Sequence, residues 1–148
     1  MKRIGFRLRT VILVLSLAAG LVPAMVAFAS PASANSGGGC GGYQSFSLGY
    51  FDACISAQLT TVYPDGYVTF GRPNTDTTCR VRVTAFKNDS TSTIYSDKTY
   101  VCPGSTGTFH FTAPSFYGGL GWSYHTRVQV ASTSGGVATA WSPWENIP

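Results

Sequence analysis

From Tyr43 onward, apolar and polar residues alternate in short runs separated by turn-forming residues. In Cys79-Arg80-Val81-Arg82-Val83-Thr84-Ala85 the odd positions are apolar, and Arg80 and Arg82 point the other way. In Tyr124-His125-Thr126-Arg127-Val128-Gln129-Val130 the even positions carry the large or branched groups and the odd ones the polar groups. A period of two is the signature of a strand that covers a core on one side only, and no segment shows a helical period. The pattern predicts strands over Tyr43 to Phe51, Cys54 to Tyr63, Gly66 to Phe70, Cys79 to Phe86, Thr93 to Val101, Thr106 to Thr112, Trp122 to Ser132 and Val137 to Trp144. Pro64-Asp65-Gly66 reads as a tight turn, because Pro fixes φ and Gly accepts a positive one. Asn88-Asp89-Ser90 and Ser134-Gly135-Gly136 read as hairpin turns.

Composition sharpens this picture. After residue 34 the chain has eighteen Phe, Tyr and Trp but only six Leu and Ile, together with many Thr, Ser and Val. Such content suits strands, so residues 43–148 are expected to form one all-β domain, a single antiparallel β-sandwich of seven or eight short strands. No internal repeat or linker divides it.

The first 34 residues read as an export signal: basic MKRIGFRLRT, apolar Val11 to Ala29, then Ala32-Ser33-Ala34 as a cleavage site before Asn35. Pro23 interrupts the apolar run, which argues against a permanent anchor, and no later stretch is apolar enough to span a membrane. The glycines before Cys40 do not make a lipoprotein box. With the leader removed, six basic residues face six acidic ones. A neutral domain lacks the charge that a phosphate backbone requires, so nucleic acid is not expected as a partner. Residues 35–42, NSGGGCGG, read as a flexible glycine-rich tail held only by Cys40.

Four cysteines in a short exported chain read as two disulfides. Of three possible pairings, Cys40–Cys54 with Cys79–Cys102 is favoured, since sequential pairing closes two modest loops. Gaps of 13, 24 and 22 residues between them do not resemble zinc-ligand spacing, so no metal and no cofactor is expected.

The segment Tyr124 to Ala131, the turn Ser132 to Gly136, and Val137 to Pro143 with Trp141-Ser142 together resemble the last two strands of a fibronectin type III domain. The resemblance covers only this C-terminal quarter, and Gly118-Gly119-Leu120-Gly121 stands where that family commonly has Pro-Gly. It implies an immunoglobulin-like sandwich in which Tyr124 is the corner tyrosine, its hydroxyl bonded to upstream backbone. The leader and its Ala/Ser/Gly-rich junction resemble those of actinobacterial exported proteins.

Chemistry is sparse. His110 and His125 read as exposed strand histidines, with no local nucleophile and carboxylate to build a triad and no G-x-S-x-G elbow. Two histidines supply two ligands at most, and a metal site wants a third. Asp65, Asp76, Asp89 and Asp97 fall in turns or at strand edges, Asp52 precedes a strand, and Glu145 is the single glutamate, so no pair of acids stands out for hydrolysis. Asn88-Asp89-Ser90 matches a glycan-acceptor pattern of little weight in a bacterial chain. Arg80 and Arg82 read as a solvated strand face, and Trp122 and Trp141 have two readings, as core fillers in a domain short of leucine or as rings displayed to a ligand. The exposed aromatics form the remaining signal. Phe116, Tyr117 and Trp122 bracket a glycine-rich loop, and Trp144 lies near the C-terminus; these four are the expected contact set for a ligand.

These features lead to a secreted or cell-wall-associated monomer, not membrane-embedded once the leader is cleaved. It is expected to bind an extracellular glycan or protein without catalysis. A small secreted inhibitor of a protease or amylase is the alternative, and a hydrolase comes third.

Overall fold

The computed structural model describes residues 36–148 apart from 89–92 and 134, and of Ser36 and Gly37 the backbone alone. The leader and cleavage site, Asp89, Ser90 and Ser134 lie outside the described residues. Twelve strands follow in order: β1 (Ser36–Gly37), β2 (Gly39–Cys40), β3 (Gln44–Phe46), β4 (Gly49–Gln58), β5 (Thr61–Phe70), β6 (Arg80–Lys87), β7 (Ile94–Val101), β8 (Gly107–Thr112), β9 (Phe116–Tyr117), β10 (Ser123–Ser132), β11 (Gly136–Trp141) and β12 (Glu145–Asn146).

They form two antiparallel sheets. The first runs β1-β12-β10-β6-β7, with β11 also paired to β10; the second runs β2-β4-β5-β8, with β3 beside β4 and β9 beside β5. Phe51, Ala53, Val68, Phe70 and Phe111 of the second sheet pack against Val81, Val83, Val128, Val130 and Ala140 of the first. The molecule is thus an all-β sandwich whose core comes from the inward halves of alternating strands, as β5 and β10 show most clearly. A smaller cluster of Ile55, Val62, Tyr124 and Ile147, with Phe116 packed on it, closes one part of the interior.

Both disulfides, Cys40–Cys54 and Cys79–Cys102, are formed, and no free cysteine occurs among the described residues. Such bonds belong to an oxidising environment. Among the described residues no helix is long and apolar enough to cross a membrane.

Three local expectations change. Pro64-Asp65-Gly66 is not a turn: β5 runs straight through it, and the reversal falls at Leu59-Thr60, where Leu59 has a φ of 55°. Pro64 is tolerated there because it lies just past the end of the β5–β8 ladder, where its carbonyl accepts the Ala113 N–H at 3.0 Å, and Gly66 is there for space. A Cβ on Gly66 would lie 2.5 Å from Val128 Cγ2 and 2.6 Å from the Asp52 carbonyl oxygen. Glycine in a strand often marks such a close approach rather than a bend. The run Tyr43 to Phe51 is likewise split by a reversal at Ser47-Leu48 between β3 and β4.

The glycine-rich tail is held by more than Cys40. β1 pairs with β12 and β2 with β4, while the Gly38 N–H donates to the Trp144 carbonyl at 2.7 Å and the Gly41 N–H to that of Ala53 at 2.8 Å. A Cβ would lie 2.0 Å from Glu145 Oε2 at Gly38 and 2.0 Å from the Trp141 carbonyl oxygen at Gly41. These glycines allow the segment to lie against the C-terminal strands.

Candidate functional site

The outward residues of the second sheet form rows set by the strand register. Asp52 of β4, Tyr67 of β5 and His110 of β8 stand side by side, as do Cys54, Asp65 and Thr112. His110 lies flat against Tyr67, with ring centroids 4.6 Å apart and planes 13° from parallel. Its Nε2 meets Asp65 Oδ2 at 2.7 Å, the diagonal cross-strand neighbour. The His110 side chain is 48% exposed and that of Asp65 19%. Asp52 is buried and accepts the Tyr67 N–H on Oδ1 at 3.1 Å, holding the strand beneath the stack.

This pair stands on the rim of a groove of about 500 Å³ lined by Ser56, Tyr63, Asp65, His110, Thr112 and Ser115 with neighbouring proline and alanine. Exposed tyrosines continue across the same sheet: Tyr63 and Tyr67 on β5, Tyr50 on β4 with Tyr43 edge-on to its ring at 5.3 Å, and Tyr117 on β9. Flat rings, one carboxylate and several hydroxyls offer stacking surfaces together with hydrogen-bond donors and acceptors. Among the described residues no hydroxyl hydrogen-bonds to His110, so the Asp65–His110 pair lacks the nucleophile partner of a triad.

The outer face of the first sheet carries a different cluster. His125 is stacked between Trp144 at 3.9 Å and Trp141 at 4.6 Å, and Phe86 lies 5.6 Å from Trp141. Beside them Arg82 clasps Asp97 through two hydrogen bonds of 2.7 and 2.9 Å, and the Thr84 hydroxyl donates to the same carboxylate at 2.8 Å. The Arg82 guanidinium, then Thr84, hold the Asp97 carboxyl below the usual carboxylate range against the opposing effect of burial.

The four aromatics expected to form one contact set are not gathered on one surface. Phe116 is half-buried against Tyr95 and Tyr124, at 5.5 and 5.2 Å. Tyr117 is exposed and belongs to the second sheet's margin. Trp122 is exposed with the Lys87 Nζ 3.1 Å above its ring, and Trp144 is half-buried in the His125 stack of the first sheet. Trp122 and Trp141, expected in the core, are both exposed outside it. Small inward residues such as Ala53, Gly66 and Ala140 leave no room for indoles between the sheets. The histidines stand on different sheets, His110 on β8 and His125 on β10.

What the residue pattern did not reveal is the Asp65–His110–Tyr67 arrangement. Its members are up to 45 residues apart, and only the β5–β8 register joins them. The available signal was the shared outward parity of Tyr63, Asp65 and Tyr67, obscured by reading Pro64-Asp65-Gly66 as a turn. Tyr124 does place its hydroxyl against upstream backbone, accepting the Gly119 N–H. Cys40, Asp52 and Cys54 bring potential metal ligands within 4.8 Å of one another, but both sulfurs are spent in the disulfide and offer no thiolate.

No family model matches the chain, and neither a curated protein nor a solved structure matches it.

Proposed function

We propose that the protein is an exported, non-catalytic binding module whose ligand is an extracellular or cell-wall glycan. The reading is carried by one observation: the His110 ring stacked parallel on Tyr67 and tied to Asp65, on a groove's rim within a field of exposed tyrosines. Sugar rings present an apolar C–H face and a rim of hydroxyls. Tyrosine faces suit the first, and Asp65, Ser56, Thr112 and the imidazole suit the second. The two-sheet order and the Tyr124 hydrogen bond support an immunoglobulin-like scaffold that presents this surface rigidly.

The test incubates the oxidised protein with insoluble peptidoglycan, chitin and cellulose, and measures both protein depletion and soluble sugar. Depletion from at least one polymer without sugar release is expected. Tyr67→Ala should weaken it by about tenfold, the scale of a lost stacking contact and its supporting pair. Full recovery of the protein in solution with all three polymers would overturn the glycan reading and turn attention to inhibition of an extracellular hydrolase.

A further inference from the structure

The register of the first sheet sets Trp141 of β11, Arg127 of β10, Thr84 of β6 and Asp97 of β7 in one outward row. Arg127 lies over two rings, its guanidinium carbon 4.7 Å from the Phe86 centroid and 5.5 Å from that of Trp141. The nearby carboxylate does not serve it: Asp97 gives Oδ1 to Arg82 and Thr84 and Oδ2 to Arg82. Among the described residues no carboxylate forms an ion pair with Arg127, and its buried Nε has no hydrogen-bond partner. Burial and then the neighbouring Arg82 charge work against its positive form, and the Asp97 charge offsets them only in part. A cation in that position is favoured by an incoming anion.

We infer that this row is a second binding site, in which Arg127 receives the carboxylate of an acidic sugar and Trp141 stacks on that sugar's ring. Charge complementarity selects an anion, because two guanidinium groups, Arg82 and Arg127, share the single Asp97 carboxylate, and its hydrogen bonds go to Arg82 and Thr84. The rings select a flat partner, since Trp141, stacked against His125, still leaves part of its indole exposed, while Phe86 is buried. The sheet selects a sugar over an extended peptide: β10 is paired with β6 on one edge and with β11 and β12 on the other. A peptide laid across β10 finds no free main-chain groups to pair with, and one added at the open edge of β11 or β7 would lie beside the row rather than over Arg127. The site is separate from the tyrosine surface, which belongs to the other sheet, and stands or falls without it.

Affinity electrophoresis in gels containing polygalacturonate tests this with the oxidised protein. Retardation is expected for the unmodified protein and for Tyr67→Ala. It should fall about tenfold or more in Arg127→Gln and in Trp141→Ala, and fall as salt is raised. Fully methyl-esterified polymer, which keeps the rings and removes the charge, should give no retardation of the unmodified protein, so the result does not depend on any variant folding. Absence of retardation by polygalacturonate, equal retardation by the methyl ester, or equal retardation by polyglutamate would each overturn the assignment.

Discussion

The hydroxyl of Tyr124 accepts the amide N–H of Gly119, five residues upstream, at 2.9 Å. The ring is 1% exposed and packs with Ile55, Val62 and Ile147, so the bond ties the β9–β10 connection to the interior. Tyr124→Phe keeps the packing and strands a partly buried donor, which should cost about 1–2 kcal/mol. A thermal melt should show a drop of roughly 4–8 °C per kcal/mol lost. An unchanged midpoint would mean that solvent satisfies the Gly119 N–H.

Gly66 should tolerate no side chain. Its Cβ position is filled by Val128 and by the Asp52 carbonyl, so Gly66→Ala forces apart two packed sheets and should cost about 1–3 kcal/mol. Gly42, with nothing within 4 Å of its Cβ position, is the control, and Gly42→Ala should stay within about 0.5 kcal/mol of the parent in urea denaturation. Equal effects at the two positions would refute the steric account.

Acid should reveal the role of Asp76. Its carboxylate accepts the hydroxyl and amide of Thr78, at 2.6 and 2.8 Å, and the hydroxyl and amide of Thr133, at 2.7 and 2.9 Å. The Thr78 hydroxyl foremost, then Thr133, hold its carboxyl far below the ordinary carboxylate range. Because the folded value is depressed, the stabilisation is complete above the unfolded value of about 3.9 and is lost as pH falls through the folded one. Asp76→Asn should therefore melt below the parent at pH 7, with the gap narrowing from about pH 4 downward. A gap that is constant with pH would show that the charge is irrelevant.

Gentle reduction should separate the two disulfides. Cys40 is exposed on β2, whereas Cys79 is 0% and Cys102 6% exposed in the core, and thiol exchange requires access to a sulfur. Limited treatment with a dithiol, followed by alkylation and mass spectrometry, should label Cys40 and Cys54 first. Replacing Cys79 and Cys102 together by Ala should cost about 3 kcal/mol in the chain-entropy picture. Labelling of Cys79 first would contradict the burial order.

Legibility in the residue pattern followed the range of the interaction. Alternation within β6 and β10 is local, and the inward set Val81, Val83, Val128 and Val130 is where the pattern put it. The pairing of Cys40 with Cys54 and of Cys79 with Cys102 was likewise accessible, since few alternatives exist for four cysteines. Pro64 and Gly66 misled because the same residues serve turns and close sheet contacts, and the neighbours that decide between them, Asp52 and Val128, are distant in the chain. The indoles of Trp122 and Trp141 were misplaced as core fillers because aromatic content predicts burial without saying on which side of a sheet. The Asp65–His110 pair needs the β5–β8 register, which no local feature encodes.

The pairing of β1 with β12 sets Ser36 opposite Asn146, and Gly37 opposite Glu145. A pull on the two chain ends would thus open this ribbon from its tip, one pair at a time, rather than shear it along its length. Peeling then reaches Gly39 and Cys40, where a covalent link to Cys54 passes the tension to β4, in the middle of a sheet. Under load, a few weak pairs would act as a short compliant leader, and the cystine as the stop that protects the sandwich behind it.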